Sequence, residues 1–190
     1  NSNCIYPPCA EEAPYVQSFS NSSLPVGICV PNQWSTSQIS GDGWKFSGTP
    51  GYAAASNGRT SGQYAWVDFS GTDDGVILQV EDIDIAALTN PALLFDFYSY
   101  NSSTFTNNNI LNVEFWNGYS WVTGMNLQLN VQAWITYGLE LDNYLFYDSL
   151  YAGDLVRIRF RAESGGDATD YNNDLLLDEI KVQDLSLIHI

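Results

Sequence analysis

The chain has 190 residues, six Lys and Arg against 22 Asp and Glu, and a formal net charge of −16. That length fits one domain, able to bury most of its apolar surface without a metal or disulfide merely to fold. So acidic a field repels phosphate backbones and excludes nucleic acid as a partner, and no stretch approaches the roughly 18 consecutive apolar residues of a membrane-spanning helix.

Hydrophobic residues make up 45% of the chain and charged ones only 15%, with 12 Tyr, 9 Phe and 6 Trp. With Ser, Thr, Asn and Gly filling the turns, this is the composition of an extracellular, secreted or surface-borne β protein. Residues 1–13 ("NSNCIYPPCAEEA") are polar and Pro-bearing and read as a linker or a strapped arm, with Asn1 the start of a mature protein or of an excised fragment. Cys4, Cys9 and Cys29 all lie in the first thirty residues. An oxidising compartment favours one bridge and one leftover thiol, and spacing alone leaves the pair open. A zinc site lacks a placed His or a fourth Cys. Two sequons, at Asn21 and Asn101, are glycan acceptors if the chain passes through a eukaryotic secretory pathway.

Strand signals dominate residues 14–185, the predicted domain. Candidates lie at 63–69 and 76–80, whereas "DIDIAAL" offers no more than one helical turn. In "PALLFDFYSY", Leu93, Phe95 and Phe97 alternate with Leu94, Asp96 and Tyr98; in "ILNVEFW", Leu111, Val113 and Phe115 alternate with Asn112, Glu114 and Trp116. Further candidates are 120–123, 133–141 and 175–183. The clearest is 155–162, where Val156, Ile158, Phe160 and Ala162 oppose Arg157, Arg159 and Arg161. Many short strands parted by Gly, Asn and Asp turns predict an all-β, two-sheet antiparallel β-sandwich or jelly roll. The tail 186–190 ("SLIHI") breaks from this character and reads as vector-derived.

The arginine stripe has a bland account, pairing across strands with Asp96 or Glu114, and a sharper one as a ligand-facing groove. Trp116, Asn117, Tyr119 and Trp121 crowd one hairpin, which makes Trp116, Tyr119 and Trp121 the candidate ligand-binding aromatics. Core or interface packing is the alternative.

No catalytic residues are expected. A nucleophile–base hydrolase needs a base, and the single His189 sits in the tail. A glycosidase needs two carboxylates, and Glu114 has no second Glu in matching phase nearby. The acid-rich stretch at 157–182 does not make an EF-hand, because Leu175 and Lys181 stand where a loop starting at Asp170 needs Gly and Glu. Strict alternation puts Leu176, Asp178, Ile180 and Val182 on one face, so Asp178 turns inward with apolar neighbours. An inward carboxylate needs an Arg or hydrogen-bond partner, or a bound Ca²⁺; the candidate metal set is Asp68, Asp73 and Asp178.

In order and spacing, Phe19, "GIC" at 27–29, "DGWKFSGTPGY" at 42–52, "GRTSGQYAWVDFSG" at 58–71, "LTNPALLFDFYSY" at 88–100, "NILNVEFWNGYSW" at 109–121, Trp134, "VRIRFRAESGG" at 156–166 and "NDLLLDEIKV" at 173–182 resemble the MAM domain family, a module of extracellular receptors and adhesion proteins. The resemblance implies a jelly roll, a role in interaction without catalysis, and a cation near the closing strand. The cysteine usual at the start of the family's central strand is absent here, where Leu93 and Leu94 stand. The expected function is therefore a non-catalytic interaction or adhesion module of a larger secreted or surface protein, binding a protein or glycan partner. The alternative is a jelly-roll carbohydrate-binding module using exposed aromatics.

Overall fold

The structure, a computed structural model, describes residues 9–27, 33–71, 73–102, 107–148, 153–166 and 169–185. In chain order the strands are β1 (Glu11–Glu12), β2 (Tyr15–Gln17), β3 (Ser35–Ser37), β4 (Ala65–Val67), β5 (Val76–Gln79), β6 (Ile83–Asp84), β7 (Pro91–Ser99), β8 (Ile110–Trp116), β9 (Trp121–Leu127), β10 (Val131–Glu140), β11 (Phe146–Asp148), β12 (Gly153–Val156), β13 (Ile158–Glu163) and β14 (Leu175–Asp184). The only described helical pieces are short 3-10 turns at Tyr52–Ser56 and Asp170–Asn172.

Two sheets form the sandwich. The front sheet runs β3-β5-β13-β8-β9 and the back sheet β10-β7-β14-β2, with β4 also pairing to β14. All pairings within these two sheets are antiparallel. The alternations predicted for 93–97, 111–115 and 156–162 are those observed, and their apolar members share one core in which Phe95 meets Phe160 edge-on at 5.3 Å. Burying a Phe or Leu side chain contributes roughly 1.5–3 kcal/mol, so these rows set which way each strand faces.

Three features depart from the predicted pattern. A small third sheet, β1-β6-β12-β11, closes one end, with β1 and β6 parallel. It takes Leu155 and Val156, the first two residues of the predicted 155–162 strand, which breaks at Arg157 between β12 and β13. It also takes Ile83 and Asp84 as a strand, leaving the expected single turn only at Ile85–Leu88. The described end of the predicted arm belongs to the fold, since Glu11 and Ala13 donate backbone hydrogen bonds to Asp82 and Asp84. Residues 1–8 and the tail 186–190 lie outside the described residues.

The third departure concerns phase. Strand β14 slips register between Asp178 and Lys181, where Glu179 adopts φ 50°. A bulge adds one residue and flips every side chain beyond it. Leu176 therefore lies on the outer face of the back sheet, while Ile180 and Val182 join the main core with Leu175 and Leu177. The single face predicted for Leu176, Asp178, Ile180 and Val182 is corrected accordingly. On that outer face Leu176, Tyr64, Trp66, Tyr98 and Ala54 form a second buried cluster. Strands buried on both faces read as continuous apolar runs, which accounts for "LLL" at 175–177.

Candidate functional site

The outer face of the front sheet carries the arginine stripe. Register places Gln79, Arg159, Glu114 and Thr123 in one row, and Ile77, Arg161, Asn112 and Asn126 in the next. Glu114 accepts from Arg159 Nε at 2.5 Å and from Arg161 Nε at 2.9 Å, one on each carboxylate oxygen. Arg161 also pairs with Glu163, which accepts from Asn112 Nδ2 at 3.1 Å; Asn126 Nδ2 donates to Asn112 Oδ1 at 2.8 Å. The predicted pairing with Glu114 is thus observed, whereas Asp96 lies on the other sheet and pairs elsewhere. Arg157, at the break between β12 and β13, forms a two-bond fork with Asp82, both bonds 2.6 Å. Charge-assisted bonds of this kind hold long side chains in one arrangement.

Aromatic rings stand beside this network. The guanidinium carbon of Arg159 lies 4.3 Å from the Trp121 ring centroid, and that of Arg157 lies 5.1 Å from that of Phe146. Trp121 faces Trp116 across the β8–β9 hairpin, edge to face at 5.7 Å. Of the six tryptophans, Trp34, Trp44 and Trp66 are buried, while Trp116, Trp121 and Trp134 are partly exposed. The hairpin turn is built by Asn117, whose Oδ1 accepts from the backbone N–H groups of Tyr119 and Ser120, and by Gly118 at φ 95°, a conformation that favours glycine. This turn lifts Tyr119 into solvent at 92% exposure. The structure therefore brings Trp116, Tyr119 and Trp121 together at the end of the arginine stripe, although Arg159 already covers one face of Trp121.

The predicted metal set is not brought together. Asp68 binds Lys45 Nζ at 2.9 Å and accepts from Ser70 N. Burial works against its charge, but the bonds from Ser70 and Lys45 hold its carboxyl below the ordinary value. Asp73 accepts from the N–H groups of Asp42 and Gly71, and burial pushes its carboxyl up. Asp178 is buried, as expected, but the cation beside it is Arg59, from the loop over the outer face of the back sheet. Burial raises the Asp178 carboxyl to about 6 against the opposing pull of the Glu179 amide and Arg59. Among the described residues no three His, Cys, Asp or Glu side chains form a group able to hold a metal ion. A calcium cage joining Asp178 to Asp68 or Asp73 is thus replaced by separate ion pairs and amide contacts.

Sequence reasoning did not find Arg59, the only Lys or Arg between Lys45 and Arg157; the signal was a buried Asp178 in need of a cation. Nor did it single out Asp174, whose oxygens accept from Gly51 N at 2.6 Å and Phe69 N at 3.1 Å. Burial raises the Asp174 carboxyl to about 6. Cys9 is disulfide-bonded, while Cys4 and Cys29 lie outside the described residues.

No family model matches the chain, and no curated protein does either. Among solved structures it is similar to the CBM22-2 xylan-binding domain of Paenibacillus barcinonensis Xyn10C, at 11% identity over 90% of this chain and 99% of that one, TM-score 0.47. It is also similar to the CBM22-1 xylan-binding domain of the same protein (13%, 89% and 92%, TM-score 0.44) and to TmCBM61 in complex with β-1,4-galactotriose (9%, 80% and 88%, TM-score 0.41). At these identities and TM-scores the likeness assigns no role to any residue of this chain.

Proposed function

We propose that this protein is a non-catalytic, extracellular module that binds neutral carbohydrate chains on the outer face of its front sheet, beside Trp116, Tyr119 and Trp121. The observation that carries the reading is the Arg159–Glu114–Arg161 network running across the sheet to an aromatic hairpin. A sugar ring offers hydroxyls that donate and accept along its rim and C–H groups on its faces. Fixed planar carboxylate, guanidinium and amide groups meet the hydroxyls, and an exposed ring such as Tyr119 meets the C–H face.

Neutral chains are preferred because all six basic side chains, Lys45, Arg59, Arg157, Arg159, Arg161 and Lys181, already hold carboxylate partners. A net charge of −16 adds repulsion of acidic glycans. The polar, networked character of this face favours glycan over the apolar contact expected at the core of an adhesion interface. Non-catalysis is part of the proposal: Glu114 and Glu163 are both tied to Arg161 rather than set as a free acid and base. Retarded migration in native gels carrying neutral polysaccharide, reduced in Trp121→Ala, is the expected result; equal migration in every polysaccharide gel would contradict it.

A further inference from the structure

On the front-sheet side of β2 a buried carboxylate is only half satisfied. Glu81, between β5 and β6, is 3% exposed. Its Oε1 accepts from Tyr15 OH and Trp34 Nε1, both at 3.0 Å. Its Oε2 is buried and has no hydrogen-bond partner. Such an oxygen carries the full desolvation cost of a polar group, roughly 1–3 kcal/mol and more when charged, unless something binds it.

No Lys or Arg serves that oxygen. All six basic side chains are engaged elsewhere, and Arg157, the basic group of the adjoining region, forks onto Asp82.

Glu81 lines a cavity of about 220 Å³ whose other walls include Gln17, Asn21, Ser23 and Pro25. Oε2 sits close to the backbone there: a Cβ added to Gly27 would stand 2.5 Å from it. Asn21, Ser23 and Val26 are exposed, so the cavity opens to solvent. The described polar side chains of its wall offer amide and hydroxyl oxygens, with no thiolate or imidazole among them.

We propose that Glu81 Oε2 and the oxygens of the 17–27 segment bind a hard divalent cation of the calcium class. Calcium accepts six to eight oxygens in irregular geometry, carbonyls and waters among them, whereas magnesium demands a tight octahedron. Zinc prefers nitrogen and sulfur ligands, which the described residues of this wall do not supply. The site shares no residue with Asp68, Asp73 or Asp178.

Terbium luminescence tests it on the intact protein, because Trp34 donates directly to the Glu81 carboxylate and is placed to sensitise the ion. Tryptophan-excited Tb³⁺ emission should saturate, be displaced by Ca²⁺ far better than by Mg²⁺, and weaken at least about tenfold in affinity in Glu81→Gln. Melting should shift upward with Ca²⁺ relative to EDTA in the native protein and stay put in Glu81→Gln. Should that variant not fold, Asn21→Ala with Ser23→Ala, on the exposed rim, should lower Ca²⁺ affinity while leaving melting in EDTA unchanged. Identical native melting in Ca²⁺ and EDTA would overturn the proposal. So would an undiminished Ca²⁺ response in Glu81→Gln, or in the rim variant where Glu81→Gln does not fold.

Discussion

Arg59 joins Asp178 through Nη1 and Asp96 through Nη2, so one guanidinium ties the loop at 48–64 to two adjacent strands of the back sheet. The same guanidinium stacks 3.9 Å from the Trp134 ring. Without it, Asp178 and Asp96, paired directly across β14 and β7, would face one another uncompensated. Replacing Arg59 with Met should cost about 2–4 kcal/mol in urea unfolding, somewhat under the ~3–5 kcal/mol of a fully buried pair because the side chain keeps some solvent contact. A loss below about 0.5 kcal/mol would remove the pair from any role in holding the loop.

Acid groups with raised native values make stability depend on pH. Asp174 and Asp178 both titrate at about 6 when folded, above the ordinary 3.8. Between those limits the folded chain binds more protons than the unfolded one. Their contribution is complete below about pH 4 and is lost as pH rises through about 6. In Asp174→Asn, chemical unfolding followed from pH 4 to 7 should show a shallower decline than in the native protein. An unchanged slope would mean that this carboxyl keeps an ordinary value.

How much of this was legible in the sequence differs by strand. Where one face is apolar and the other polar, as in β7, β8 and β13, alternation alone gave the correct inward sets. It failed at β14, because a bulge at Glu179 leaves no mark in "LLLDEI", where its neighbours are all apolar or acidic. It could not foresee the break at Arg157 either, since the residues on both sides keep their phase while pairing in different sheets. The Trp116–Tyr119–Trp121 hairpin was readable from its Asn-Gly turn. The partners of Asp178 and Glu81 were not, since they come from segments about 120 and 65 residues distant whose approach only the fold decides.

Glu114 should matter for stability as well as for the proposed surface. It is 5% exposed and bridges two arginines; among the described residues Arg159 has no other carboxylate partner, while Arg161 also pairs with Glu163. Glu114→Gln retains the shape but leaves Arg159 without its carboxylate partner and Arg161 with Glu163 alone, at an expected cost of about 1–3 kcal/mol in denaturant unfolding. Stability within about 0.5 kcal/mol of the native protein would show the network to be ornamental.

Gly124 sits at the irregular step of β9 against β8. A Cβ there would stand 2.5 Å from Phe115 Cε2 and 3.0 Å from Leu139 Cδ2. Phe115 is fully buried and stacked on Tyr144, so it has little room to yield. Gly124→Ala should therefore lose about 1–3 kcal/mol through overpacking, read as a lower melting temperature. A neutral or stabilising outcome would mean that the bulge relaxes at no cost.

The central claim is that the front-sheet face binds neutral glycans. Titration calorimetry of the native protein, Tyr119→Ala and Trp116→Ala against a neutral polysaccharide that retards the native protein tests it most directly. Circular dichroism should first show that both variants keep the native fold. The account predicts saturable binding by the native protein and affinity at least about fivefold weaker in each variant, a loss near 1 kcal/mol at a ring contact. Undiminished affinity in both folded variants would place binding elsewhere and contradict the account.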